Sequence, residues 1–472
     1  MKDKPNILII TFDCLRPDHL SALGYRGLFT PTFDRLIDEG VIFTNAYCQA
    51  PNTWISHASL FTGCNPYRHG VRTPLRKIAP NVRTMAEVFQ EAGYTTFGLP
   101  AMSLLSREAG FARGFDQYCL DGLQSREGIL SHRYYRSASD TLAITKHWLR
   151  GIRSPFFGWI HYFGTHRVED SLLDLPLKYR QQYSEYAQYY DGKVAFTDEQ
   201  FLEHLVDELN TLGILDETIL VLWSDHGENL HGVEHNPQYA HNWTLKEDVM
   251  RVLLVIRAPW LLPSGEKHSN VVQSIDIFPT LLELVGVRSF QSQVEGKYLT
   301  TPFPQSNPIV YMENLCQGFV GVRQDRFKLI ISKPDSQGKE NSQISGVFGE
   351  RLIWRLQLVK NAIHELLPAR WKWQGRREPV SEVTDGLAPW WRARGEPEEI
   401  LLRLIKHGTC TLYDLSNDPL EHHNIASQKP TLVKDLKQII HDLAVHGANV
   451  EQAYEASEEA AVEAHLKALG YF

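Results

Sequence analysis

The chain has 472 residues, 43% of them hydrophobic and 11% aromatic, with a net charge of −8 and a pI near 6.2. That length calls for more than one small core, and the acidic balance excludes a general affinity for nucleic acid. No apolar run reaches the length of a membrane span, no two of the six cysteines form a CxxC pair, and the N-terminus lacks a signal-peptide layout, so a reduced, cytoplasmic protein is expected.

Asn6–Phe12 (NILIITF) is apolar on both faces, the pattern of a strand inside a parallel sheet, and it ends abruptly in Asp13-Cys14-Leu15-Arg16. Phe29–Glu39 carries helical spacing behind Thr30-Pro31, and Val41–Tyr47 follows as a strand. Ala50 to Gly63 reads as a loop feeding a helix that the glycine stops. Thr53 sits just before that helix, where unsatisfied N–H groups and the positive dipole end stabilise an anion. Its hydroxyl is either a helix cap or a nucleophile, and position alone favours the cap. Val82–Gly93 is a predicted helix, Thr95–Leu99 a strand, Gly110–Tyr118 a turn-rich connection and Ser139–Arg150 a helix. Pro155–Tyr162 is another buried strand, and the turn after it presents His166.

Tyr186–Leu212 reads as one long amphipathic helix leading into Thr218–Trp223, a second strand without polar alternation. This strand stops in Ser224-Asp225-His226-Gly227-Glu228. Met250–Ile256 is a further strand and Ser274–Val285 a helix. Beyond them, Pro308–Met312, Gly318–Val322, Phe327–Ser332 and Thr411–Tyr413 have the length and spacing of a small antiparallel sheet, backed by a helix over Leu432–Val445. Residues 335–405 interleave five tryptophans with arginines and lysine. That insertion reads as a substrate lid, a partner or membrane-surface contact, or ordinary helices packed on the main body.

The alternation of strands and helices predicts an α/β fold, a doubly wound mixed sheet with helices on both faces over residues 1–305. A smaller C-terminal α+β domain is expected over 306–472. If the first strand lies parallel to Thr218–Trp223, Asp13 and Asp225 emerge at one sheet edge, where open α/β sheets bind ligands. Two carboxylates brought together there need a cation or a proton between them.

Seven segments, PNILIITFDCLRPDHL (5–20), APNTWISHASLFTGCNPYRHGV (50–71), YDGKVAFTDEQF (190–201), TILVLWSDHGENLHG (218–232), HNWTLKEDVMRVLLVIRAP (241–259), SIDIFPTLLELVGV (274–287) and LYDLSNDPLEHHNIA (412–426), together resemble the sulfatase family of the alkaline phosphatase superfamily. The resemblance covers nearly the whole chain. It implies the alkaline-phosphatase-like fold, a divalent ion (Mg, Mn, Ca or Zn) held by Asp13, Asp225 and His226, and Thr53 at the nucleophile position and among the ligands. Three departures stand out. Thr53-Trp-Ile-Ser-His57 replaces the C/S-x-P-x-R motif that matures to formylglycine. The lysine and histidine of the G-K-W-H segment are missing, and Cys14 stands where a second acidic ligand is common.

An unmodified threonine is similar to what the superfamily's phosphodiesterases and phosphotransferases use. The leading expectation is therefore a metal-dependent hydrolase or transferase of phosphoric esters. The alternatives are an enzyme of sulfuric or sulfamoyl esters working without formylglycine, and a non-catalytic binding protein that kept the fold. His166 and His241 are the expected acid–base pair, since imidazole titrates near neutral pH. His69 orients the nucleophile or serves as a structural donor, and His57 contacts the transferring group or stabilises the helix start. Asn229, His231 and His235 read as a solvated polar loop. The expected partner is a small-molecule or glycan ester, with homo-oligomerisation open.

Overall fold

The computed structural model describes residues 4–73, 76–121, 123, 135–166, 179, 186–230, 241–287, 290, 294–299, 308–334, 396–446 and 452–453. Its main sheet contains β1 (Asn6–Phe12), β2 (Val41–Tyr47), β3 (Thr95–Leu99), β4 (Gln117–Tyr118), β5 (Phe156–Tyr162), β6 (Thr218–Ser224), β7 (Leu254–Arg257) and β8 (Glu266–Gln273), in the order β8-β2-β7-β6-β1-β5-β3-β4. β1 runs parallel to both β5 and β6, whereas β7 is antiparallel to β2 and β6, so the sheet is mixed as expected.

The unbroken apolar runs have a simple cause: both faces of the sheet are covered. Ile7 and Ile9 point into one core, where they meet Ile55 and Phe61 of α2 (Thr53–Thr62), Phe89 of α3 (Met85–Glu91), Trp159 and Trp223. Leu8 and Ile10 point into the other, with Phe33 and Leu36 of α1 (Pro31–Asp38), Leu149 of the helix Ala138–Gly151, and Leu205 and Leu209. Each such side chain contributes ~1.5–3 kcal/mol on burial.

The structure departs from the sequence expectation at several elements. The helix over Tyr186–Thr211 contains a π-helical turn at Thr197–Leu202. That turn carries Asp198, whose carboxylate accepts the N–H groups of Thr32 and Phe33 at the start of α1. Met250–Ile256 is split at Leu253, which exchanges hydrogen bonds with Ser224: its N–H donates to the Ser224 hydroxyl and its carbonyl accepts the Ser224 N–H. β8 was not expected, because an edge strand reading EKHSNVVQ is half exposed and polar over its first five residues. The helix Pro397–His407 begins inside the stretch that sequence left undefined and runs two residues past it; residues 335–395 lie outside the described residues, as does the expected domain boundary at 305/306.

The C-terminal sheet is antiparallel in chain order, with strands Val310–Asn314, Phe319–Gln324, Phe327–Ser332 and Thr409–Asp414. Val320, Val322 and Leu329 pack against Leu401, Leu404, Leu436 and Ile440 of the helices Pro397–His407 and Pro430–His446. Val310, Met312, Ile330 and Tyr413 join the main core instead. Among the described residues, no helix is long and apolar enough to cross a membrane.

A buried ionic cluster fastens this sheet to the main one. The Lys328 ammonium, fully buried, lies 2.9 Å from Glu247 Oε1 and 3.0 Å from Glu421 Oε1, and the Tyr47 hydroxyl donates to Glu247 Oε2 at 2.5 Å. Removing one member strands the others' charge away from water, which costs far more than the intact pair contributes. Lys328→Met is expected to destabilise the fold by ~3–5 kcal/mol, read as a lowered urea midpoint. An unchanged midpoint would show that the carboxylates are already neutral.

Candidate active site

The ends of β1 and β6 build the site. Their register pairs Phe12 with Ser224, so the next residues, Asp13 and Asp225, leave the sheet side by side. Asp13 is pinned by its N–H to the Tyr162 carbonyl at 3.0 Å, and its own carbonyl accepts the Thr165 hydroxyl. Asp225 Oδ1 accepts the N–H groups of Cys14 at 3.2 Å and His226 at 2.9 Å. The turn after β6 then passes so close to the neighbouring chain that only glycine fits: a Cβ on Gly227 would sit 2.1 Å from the Asp248 carbonyl oxygen.

Helix α2 enters over this edge. Asn52 is the N-cap in extended conformation, and Thr53 is the first helical residue rather than the cap. The Ser56 hydroxyl donates to the Asp225 carbonyl at 2.6 Å and ties the first turn to the strand end. Thr53 Oγ1 thereby lies 3.3 Å from Asp13 Oδ2 and 3.4 Å from His226 Nε2. One turn on, the His57 Nδ1–H donates to the Thr53 carbonyl at 2.7 Å, and its ring lies edge-on to Trp159 and Trp223. Burial holds this imidazole neutral, with its pKa pushed down to about 3.

Asp13, Asp225 and His226 bring ligand atoms within 4.8 Å of one another, and all three are fully buried. Asp13 Oδ1 and Asp225 Oδ2 have no hydrogen-bond partner among the described residues. Burial raises the pKa of both carboxyls, and Asp13 raises Asp225 further by repulsion. The His226 Nδ1–H donates to the Gly227 carbonyl at 2.9 Å, which leaves the Nε2 lone pair toward Thr53. Two orphaned carboxylate oxygens, an oriented imidazole and a hydroxyl are a donor set that fits a divalent cation.

The remaining predicted residues divide. His166 and His241 join the cluster, their rings 5.3 Å apart at 75°. Burial pushes the His166 pKa well down, so this ring is neutral. For His241 burial acts in the same direction, but Glu228 Oε2, 3.0 Å from Nδ1, together with the Asp13 and Asp225 carboxylates raises the pKa. His69 does not join. Its Nε2 pairs with Ser59 Oγ at 3.0 Å and its Nδ1 accepts the Val71 N–H at 3.1 Å. Ser59 is six residues past Thr53, roughly 9 Å along the helix, so His69 braces α2 from beneath. Asn229 is buried, with its N–H on Glu228 Oε1, rather than solvated. His231 and His235 lie outside the described residues.

Two residues were missed. Glu228 was read as part of a polar turn, although it is the partner that charges His241. His161 lay hidden in the apolar strand β5; its Nδ1 accepts the Ala101 N–H at 3.2 Å, which fixes Nε2 as the protonated nitrogen, 3.2 Å from Asp13 Oδ2. The signal available was one imidazole in a strand otherwise without a charged group. A donor behind a ligand carboxylate sets that carboxylate's orientation. His161→Phe is expected to lower divalent-ion affinity roughly 10–100-fold in a calorimetric titration, and His161→Gln, which retains a donor, to lose less. Equal affinities for wild type and His161→Phe would reduce His161 to packing.

With this geometry in hand, the comparisons with known proteins can be placed. The family model described as Sulfatase matches residues 5–287. A protein named sulfatase from Formosa agariphila is 26% identical over an alignment of 367 positions that covers 61% of this chain and 70% of that protein. A solved structure in complex with D-glucosamine-2-N,6-O-disulfate superposes with a TM-score of 0.63 at 18% identity, over 94% of this chain and 98% of the other. The phosphonate monoester hydrolase of Agrobacterium radiobacter superposes with a TM-score of 0.62 at 16% identity, over 95% and 97%.

Proposed function

This chain belongs to the sulfatase family, and from that premise we propose that it cleaves sulfuric esters of carbohydrates with the unmodified hydroxyl of Thr53. The observation that carries the reading is the placement of Thr53 Oγ1 at the head of α2, between Asp13 Oδ2 at 3.3 Å and His226 Nε2 at 3.4 Å. Thr53 taken alone had put phosphoric esters first. The relatives reverse that order, since the Formosa protein is named a sulfatase and a structure of the same fold holds a disulfated sugar.

Asp13, Asp225, His226 and the Thr53 hydroxyl would hold the divalent ion, which when bound supplies positive charge that acidifies the hydroxyl and offsets charge on the ester oxygens. Asp13 Oδ2 is the nearest acceptor for the Thr53 proton. The Thr53 oxygen attacks sulfur in line, the S–O bond to the sugar breaks, and the departing oxygen takes a proton from His241, whose pKa the neighbouring Glu228 carboxylate helps to raise. The first N–H groups of α2 face the anion. Water, deprotonated by the now neutral His241, then attacks sulfur, the S–O bond to Thr53 breaks to release sulfate, and the proton held on Asp13 returns to the Thr53 oxygen.

The test compares turnover of nitrophenyl sulfate with that of a nitrophenyl phosphodiester, alongside the intact-protein mass after brief incubation. Wild type is expected to favour the sulfate and carry a sulfo-sized adduct; Thr53→Ala is expected to lose the adduct and roughly 10³-fold or more of kcat. Turnover of the phosphodiester far above the sulfate would transfer the assignment to phosphoryl transfer. That second reading keeps one specific observation in its favour: no residue of Thr53-Trp-Ile-Ser-His57 matches the motif that matures to formylglycine. Undiminished turnover in Thr53→Ala would remove Thr53 as nucleophile for either ester.

A further inference from the structure

We propose that Cys14, His166 and Asp13 form a second cation site, softer than the first and suited to zinc, with the Asp13 carboxylate shared between the two. The sulfur does not face the Thr53 side. It lies 3.7 Å from Nδ1 of His226 and 3.9 Å from Nδ1 of His241. In His226 that edge is the one bonded to the Gly227 carbonyl, opposite the Nε2 that points at Thr53. The His226 ring is therefore a partition, with Thr53 and Asp225 on one side and Cys14 on the other.

On the sulfur's side the three groups converge. Cys14 Sγ, a carboxylate oxygen of Asp13 and a ring nitrogen of His166 all lie within 4.8 Å of one another, and all three residues are buried. His166 is 5% exposed, and neither of its ring nitrogens has a hydrogen-bond partner among the described residues. An imidazole with two orphaned nitrogens in a dry site lacks the pairing that buried polar groups almost always find. A bound ion would pair one of the two nitrogens.

The backbone is also committed to this arrangement. Cys14 sits at φ 59°, in the left-handed region that a residue with a Cβ seldom occupies. It is held there by its N–H on Asp225 Oδ1 and by the Tyr190 hydroxyl, which donates to its carbonyl at 2.7 Å. His166 is fixed by its N–H to the Phe163 carbonyl at 3.0 Å, by the Lys193 ammonium on its own carbonyl, and by stacking on Phe163. Asp13 Oδ2 is engaged by Thr53 and His161, whereas Oδ1 has no such bond.

Thiolate, imidazole and carboxylate are the ligand types of zinc sites, at about 2.3 Å for sulfur and about 2.0–2.2 Å for nitrogen and oxygen. A spread of up to 4.8 Å between donors needs only a small contraction to reach such a geometry. Binding would release the thiol proton to solvent, one per ion. The same donor set is a poor match for calcium or magnesium, which take oxygen ligands. The inference does not depend on which ester is cleaved.

The test is a metal titration of the full chain, first stripped with chelator, using cobalt(II) as a spectroscopic stand-in and zinc for stoichiometry. Wild type is expected to bind two ions and to develop the near-ultraviolet thiolate-to-cobalt charge-transfer band. Cys14→Ser is expected to abolish that band and retain one ion, and His166→Ala to weaken binding of the band-forming ion at least tenfold. Asp225→Asn is expected to lose the other ion and keep the band. A single ion in wild type without a charge-transfer band would overturn the proposal, as would a band that persists in Cys14→Ser. A band lost together with all binding in Asp225→Asn would place the sulfur in the first site and overturn the second.

Discussion

Two fully buried carboxylates, Asp13 and Asp225, at the ends of adjacent parallel strands are the constraint on which the site depends. In water such a pair repels weakly, but in a dry crevice the repulsion is large and burial adds a desolvation cost for each charge. The surroundings hold both groups in place while leaving one oxygen of each unpartnered. Cys14 N–H and His226 N–H occupy Asp225 Oδ1; Thr53 and His161 occupy Asp13 Oδ2. The remaining oxygens, Asp13 Oδ1 and Asp225 Oδ2, define where positive charge belongs.

The departures from the family's pattern change how that charge is supplied. Where formylglycine-dependent relatives of this pattern carry an arginine, His57 is neutral and boxed by Trp159 and Trp223. The segment that often provides a lysine reads Gly98-Leu-Pro-Ala-Met. In the proposed reaction the anionic ester therefore depends on the cation, the head of α2 and the charged His241 rather than on a ring of fixed side-chain cations. This concentrates the chemistry on histidines, whose pKa values the surroundings push apart: burial first and neighbouring positive groups second lower those of His57 and His166, while against burial the Glu228, Asp13 and Asp225 carboxylates raise that of His241.

The C-terminal sheet contributes rigidity to the same region. The strand Val310–Asn314 lies against the main core, and Asn314 donates through its side-chain amide to the Asn242 carbonyl at 2.7 Å, while Asn52 donates to the Asn242 side chain. A polar chain thus runs from the small sheet to the cap of α2. Buried amides in such a chain have few alternative partners, so they fix the helix head more firmly than apolar packing alone.

How much of this was legible follows from which residues act through their own neighbours in sequence. β1 and β6 were recognisable because a strand covered on both faces shows an unbroken apolar run, and their abrupt polar stops marked Asp13, Asp225 and His226. Motif order supplied Thr53. Hidden from the sequence were roles set by residues far along the chain. His161 orients Asp13 across 148 positions, and Glu228 bonds a histidine 13 positions further on. Of the two readings of His69, orienting Thr53 or a structural hydrogen bond, its contacts with Ser59 and Val71 match the second. β8 escaped notice because a half-exposed edge strand keeps polar residues, and the π turn because nothing local to Thr197–Leu202 announces it or the tertiary contact that Asp198 makes with the start of α1. The fold class and the two polar strand ends were written in the chain itself, since both follow from local hydrophobic pattern. Only the tertiary structure decided tautomers, charge states and which histidine faces which side of His226, because those depend on desolvation and on hydrogen-bond partners that the chain brings together from afar.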